Sequence, residues 1–98
     1  MKENVTLETV RLLKILGFNA PAPTIYETAK FLREDRGIDL VVSLRFNSKT
    51  GDRVGYFWRW PQRTDVIDNK IYKTFEGALT AGISKVMESF KEYYNENP

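Results

Sequence analysis

Apolar residues recur with two different periods along the chain, and the changes between them predict the order of its elements. Spacings of three and four residues predict three helices, over residues 6–17, 24–37 and 74–94. Strict alternation over 38–46 and 54–60 predicts the two strands of a β-hairpin. The predicted fold is a two-layer α+β domain in the order α-α-β-β-(β)-α, in which helices cover one face of a small antiparallel sheet formed by hairpin 38–60. The bracketed strand is the short segment 70–73.

The residues at the predicted helix ends are of the types that cap helices. Thr24 is followed three residues later by Glu27, which is the pattern of a capping box. Threonines and glycines mark the other ends: Thr6, Gly17, Gly37 and Thr74. The sequence therefore predicts where each helix begins and where the first two end.

The alternation also predicts the register of the hairpin. For the apolar residues of both strands to share a face, the numbers of paired residues must add to an even total. A three-residue loop of Lys49, Thr50 and Gly51, closed by Ser48 opposite Asp52, meets this condition with Gly51 in the left-handed position. A four-residue loop would make these totals odd and place the apolar residues of the two strands on opposite faces, so it is rejected. The predicted pairs are Phe46 with Val54, Leu44 with Tyr56, Val42 with Trp58, and Leu40 with Trp60.

The composition narrows the classes of function. The chain has 98 residues, 42% of them hydrophobic and 29% charged, and is expected to form a single domain over 1–98 with an ordered core of about 6–94. It contains no cysteine and no histidine, so disulfides, thiol chemistry, Cys/His zinc sites and imidazole bases are excluded. Asp65 and Asp68 are expected to form turns, and no catalytic residue, metal site or cofactor is predicted.

Because no apolar stretch resembles a signal peptide or a membrane span, a cytoplasmic location is expected, with no membrane partner.

The opposite face of the hairpin is the candidate interaction surface. Arginines surround two apolar residues there, and the predicted site comprises Val41, Arg45, Arg53, Phe57 and Arg59. Arginine and aromatic residues are enriched at protein interfaces, so an unknown protein partner or a homodimer is one hypothesis. Nucleic acid is the alternative, since arginines can contact phosphates while a base stacks on Phe57. An ordinary solvated sheet face and a small-molecule crevice near Trp60 are further hypotheses.

Four segments are suited to comparison with known families: Leu-Leu-Lys-Ile-Leu-Gly-Phe at 12–18, the helix start at Pro23-Thr24, Phe-Leu-Arg-Glu at 31–34 and the segment 72–83. Together they resemble a family of short uncharacterised proteins found in Bacteroides genomes and their phages. The chain differs at Phe31, where the family usually has tryptophan, and at Gly77, where it usually has an acidic residue. The resemblance implies a bacterial or phage accessory protein, and it implies no activity.

Overall fold

Three helices and one antiparallel hairpin make up the described part of the chain. The computed structural model describes residues 5–20 and 22–96, with side chains through Lys91. Its elements are α1 (Leu7–Ile15), α2 (Ile25–Arg36), β1 (Val41–Phe46), β2 (Arg53–Arg59) and α3 (Phe75–Glu96). The predicted α+β class is confirmed, with the order α-α-β-β-α, and α3 continues beyond the predicted end of the ordered core. None of the described helices is both long and apolar enough to cross a bilayer.

The predicted caps are present at the helix ends. The Thr24 hydroxyl accepts a hydrogen bond from the Glu27 amide, and the Glu27 carboxylate accepts one from the Thr24 amide, both at 3.1 Å. The Thr6 hydroxyl accepts from the Thr9 amide, and the Thr74 hydroxyl accepts from the Gly77 amide. These contacts satisfy amides that have no partner within their own helix.

The hairpin has the predicted register but a different turn. Val42 pairs with Trp58 and Leu44 pairs with Tyr56, as predicted. The predicted three-residue loop is wrong: Asn47 and Asp52 close a four-residue loop, 48–51, in which the Asn47 amide donates to the Asp52 carbonyl over 2.8 Å.

A β-bulge restores the parity that this longer loop reverses. Phe46 pairs with Arg53 and Arg45 pairs with Gly55, so Val54 is an extra residue on β2. The predicted pair of Phe46 with Val54 is therefore wrong. Gly51 still adopts the left-handed conformation, with a φ of 75°.

Helix α3 crosses the sheet at its end nearest Trp58. A Cβ atom at Gly82 would lie 3.3 Å from Leu40 Cδ2 and 3.3 Å from Trp58 Cγ, so the glycine permits the close approach. Trp58 and Trp60 are buried there, in a core completed by the three helices and the residues just after α1 and α2: Leu13, Leu16, Ile25, Phe31, Leu32, Ile38, Leu79, Ile83, Val86 and Met87. The prediction that helices cover the whole apolar face is wrong at the opposite end, where Leu44, Phe46 and Val54 are exposed.

The predicted third strand is reduced to a single bridge. Tyr72 pairs with Tyr56 through two backbone hydrogen bonds of 2.7 and 2.8 Å, and the remainder of 70–73 forms no strand. A Cβ atom at Gly55 would lie 2.5 Å from Ile71 Cγ2 and 2.7 Å from the Tyr72 carbonyl oxygen. Gly55 thus lets the segment 71–72 lie directly against β2.

Candidate interaction surface

The predicted outer-face residues lie on both strands of the hairpin. Val41 pairs with Arg59, and Phe57 pairs with Ser43, so these residues are neighbours on one face. Arg45 and Arg59 are exposed, whereas Val41 and Phe57 are half-buried. The structure therefore brings four of the five predicted residues together: Val41, Arg45, Phe57 and Arg59.

Arg53 is placed differently from the prediction. It pairs with Phe46 across the bulge, and directly opposed residues share a face of a sheet. The register therefore assigns Arg53 to the face that carries Phe46 and Leu44, not to the face of Phe57. The extra residue at Val54 is the cause, because a shift of one residue reverses the face on which a side chain lies.

Three exposed apolar side chains, Leu44, Phe46 and Val54, lie at the loop end of the other face, whereas Leu7, Ile15 and Ile67 are exposed elsewhere on the surface. Phe46 is 56% exposed and Val54 is 54% exposed, although both were predicted to be buried. We define the apolar strip as this surface with the aromatic residues next to it, and its members are Tyr26, Leu44, Phe46, Val54, Phe75 and the half-buried Tyr56. A contiguous exposed apolar surface on a small protein marks an interaction site more often than scattered apolar residues do.

Aromatic contacts connect the members of the apolar strip on three elements. The Phe75 ring stacks on Tyr26 with a centroid separation of 6.4 Å and meets Tyr56 edge-on at 6.2 Å. The Tyr26 hydroxyl donates to the Glu76 carboxylate over 2.8 Å, and this hydrogen bond lowers the pKa of Glu76. These contacts hold the aromatic half of the strip in one arrangement beside Leu44, which pairs with Tyr56.

The outer edge of β1 lies beside the apolar strip. The amide and carbonyl of Tyr56 bond to Tyr72, so they point away from β1. Because hydrogen-bonded and non-bonded pairs alternate in an antiparallel ladder, the backbone groups of Leu44, opposite Tyr56, point outward, as do those of Val42 and Phe46. Among residues 5–20 and 22–96, none forms a backbone hydrogen bond with this edge.

Asp68 has a structural role beneath β2. Its Oδ2 accepts hydrogen bonds from the Trp58 indole, at 3.3 Å, and from the Tyr72 hydroxyl, at 2.5 Å. Burial raises the pKa of Asp68, but the hydrogen bonds from Tyr72, Lys70 and Trp58 together outweigh it and leave the pKa below its usual value. Burial, with the adjacent Asp68 carboxylate, raises the pKa of Tyr72 to about 12.

The two loop carboxylates considered in the sequence have separate partners. Asp65 forms a two-bond ion pair with Arg63, at 2.9 and 3.0 Å, whereas Asp68 binds Trp58 and Tyr72. No group of three potential metal-ligating side chains occurs in the described part of the chain. Both aspartates thus organise the connection between β2 and α3.

A crevice of about 570 Å³ lies at Trp60, near which a small-molecule site was one of the further hypotheses. Apolar and basic side chains line it: Leu16, Arg36, Ile38, Trp60, Arg63, Ser89 and Phe90. Arg36 donates to the Leu16 carbonyl oxygen, and the Arg63 guanidinium carbon lies 5.5 Å from the centroid of the Trp60 ring. The first contact joins α2 to the end of α1, and the second lies within the connection after β2.

Comparison with known proteins found no match to a family model, a curated protein or a solved structure. The resemblance to Bacteroides and phage proteins stays a prediction.

The sequence did not reveal the apolar strip because the same alternation is typical of covered and uncovered sheet ends. One signal was present: Ala78, Ala81 and Gly82 mark where α3 approaches its neighbours most closely. That point lies at Trp58 and Leu40, so the loop end of the hairpin extends past the helix.

Proposed function

We propose that this protein is a non-enzymatic interaction module that binds a protein partner through the loop end of its hairpin. The contact surface comprises the apolar strip and the adjacent outer edge of β1. The observation that carries the proposal is the exposure of Phe46 and Val54 next to an edge whose backbone groups point outward. The proposal requires no cofactor and keeps the expected cytoplasmic location.

Two kinds of interaction are available at the same place. Backbone amides and carbonyls on a sheet edge can form a ladder with an added strand, which provides affinity with little dependence on sequence. Apolar side chains beside that ladder supply the desolvated centre that most interfaces require. Leu44 contributes to both, because its backbone points outward and its side chain is 38% exposed.

The outer face is a weaker candidate for the centre of the interface. Phe57 is half-buried, and Arg53 belongs to the opposite face by register, so only Arg45 and Arg59 remain as exposed cations beside it. Nucleic-acid binding through these arginines stays the alternative function. It predicts an affinity that decreases steeply as salt is added, whereas binding through the apolar strip does not.

The test compares two exposed-surface variants of the full chain as baits for partner capture. Phe46→Ser removes the most exposed aromatic group of the apolar strip, and Arg59→Ser removes a charge from the outer face. We expect a partner recovered with the unmodified chain to be lost with Phe46→Ser and retained with Arg59→Ser. Retention of every partner by a folded Phe46→Ser variant contradicts the proposal, and selective loss with Arg59→Ser favours the outer face.

A further inference from the structure

We infer that the partner fitting this surface is a second copy of the same chain, paired antiparallel through β1 about a two-fold axis at Leu44. The inference rests on the proposed function and specifies its partner. Its basis is that the edge of β1 is complementary to an antiparallel copy of itself in its backbone hydrogen-bonding groups, its apolar side chains and its charges.

The backbone of β1 is complementary to its own antiparallel copy. In the pairing about Leu44, this residue faces Leu44 of the second copy, and Val42 faces Phe46 of the second copy. All of these residues have outward-pointing amides and carbonyls, and residues of that kind form the hydrogen-bonded pairs of an antiparallel ladder. The two hairpins then form one continuous four-stranded sheet.

The side-chain pattern is also complementary to itself. An even sum of paired residue numbers is needed for the two apolar faces to coincide, which is the condition that governs the hairpin itself. The pairing about Leu44 has the sum of 88 and places Leu44 and Phe46 of both copies on one face. Exposed apolar residues of the strip thus become cross-strand neighbours, which buries part of the surface that the helices leave exposed.

Charge and apolar burial distinguish this register from the pairings about Arg45 and Val42, and the substitutions below distinguish it from the pairing about Ser43. Pairing about Arg45 sets two arginines opposite each other, which is unfavourable. Pairing about Leu44 sets Arg45 opposite the uncharged Ser43 instead. Pairing about Val42 sets Asp39 opposite Arg45, which is favourable. However, it places Phe46 beside Ile38, which is only 8% exposed, so less of the exposed apolar surface becomes buried.

The absence of cysteine from the chain makes an introduced thiol a direct test of the register. Leu44→Cys places two thiols on the axis, where paired Cα atoms lie about 5.5 Å apart, within the range of a disulfide. Ser43→Cys is the matched control, because two such residues lie diagonally, about 7–8 Å apart. Under mild oxidation we expect covalent dimers from Leu44→Cys at a rate at least tenfold above Ser43→Cys.

Charge substitution at Ser43 provides an independent test in the reduced protein. Ser43→Glu sets two carboxylates opposite the two Arg45 side chains, so we expect the dimer to tighten by about threefold or more relative to Ser43→Gln. Pairing about Ser43 would instead oppose the two glutamates and weaken the dimer. Sedimentation in the analytical ultracentrifuge across micromolar concentrations measures the dimer dissociation constant.

The possible outcomes separate this inference from the proposed function. Dimerisation with Leu44→Cys cross-linking and Ser43→Glu tightening supports both. A chain that stays monomeric overturns the inference, and so does a dimer that cross-links at Ser43→Cys instead. If the monomeric chain still captures another protein that Phe46→Ser loses, the proposed function stands alone; if Phe46→Ser loses nothing, both fail.

Discussion

The ring of Phe75 meets the ring of Tyr56 edge-on, with their centroids 6.2 Å apart, at the point where the covered part of the sheet ends. On one side of this contact lies Trp58, which is 3% exposed beneath α3. On the other side lie Phe46 and Val54, each more than half exposed. Along its length, the hairpin therefore consists of a covered half that stabilises the fold and a loop-end half that is available for contact.

This division predicts that two apolar substitutions lower the free energy of unfolding by very different amounts. Phe46→Ser should lower the free energy of unfolding by no more than about 1 kcal/mol, because more than half of the side chain is already in solvent. Ile83→Ala should cost about 2–5 kcal/mol, because Ile83 is 2% exposed and its truncation leaves a cavity. Urea denaturation of both variants measures the difference. At protein concentrations where the chain is monomeric, a loss above 2 kcal/mol for Phe46→Ser would show that the apolar strip is buried in the isolated chain.

Local patterns allowed the helix ends and the central hairpin pairs to be predicted. Caps depend on residues three positions apart, and the pairing of Leu44 with Tyr56 depends only on parity. The turn was not predictable, because parity is kept either by a three-residue loop or by a four-residue loop with one extra residue on β2. The position of α3 on the sheet is a tertiary property, so the sequence did not show which half of the apolar face stays open.

The capping box at the start of α2 provides a second prediction. Thr24→Ala removes the hydroxyl that accepts from the Glu27 amide and should destabilise the protein by about 1 kcal/mol. Thr24→Ser keeps that acceptor and serves as the matched control. Thermal unfolding monitored by circular dichroism compares them. Equal midpoints for the two variants would contradict a role for this cap.

Gly55 provides a third prediction, based on close approach. Gly55→Ala would bring a methyl group to 2.7 Å from the Tyr72 carbonyl oxygen, so the bridge between Tyr72 and Tyr56 must open or shift. We expect a cost of about 1–3 kcal/mol in the free energy of unfolding, as for other overpacked sites. Amide exchange should accelerate at Tyr72, while Arg59→Ala, an exposed change on the same strand, should leave it unaltered. Unchanged exchange in Gly55→Ala would contradict this arrangement.

The hydroxyl of Tyr72 provides a prediction for alkaline pH. Burial and the adjacent Asp68 carboxylate raise its pKa to about 12, whereas the reference value for tyrosine is 10.0. The folded state therefore holds this proton more tightly than the unfolded state. The contribution of the Tyr72 hydroxyl to the free energy of unfolding is fully present below pH 10 and is lost as the pH rises toward 12. Denaturation at a series of pH values should show a smaller decline for Tyr72→Phe than for the unmodified protein. Parallel declines in the two proteins would mean that Tyr72 titrates normally and that its hydrogen bond to Asp68 does not persist in solution.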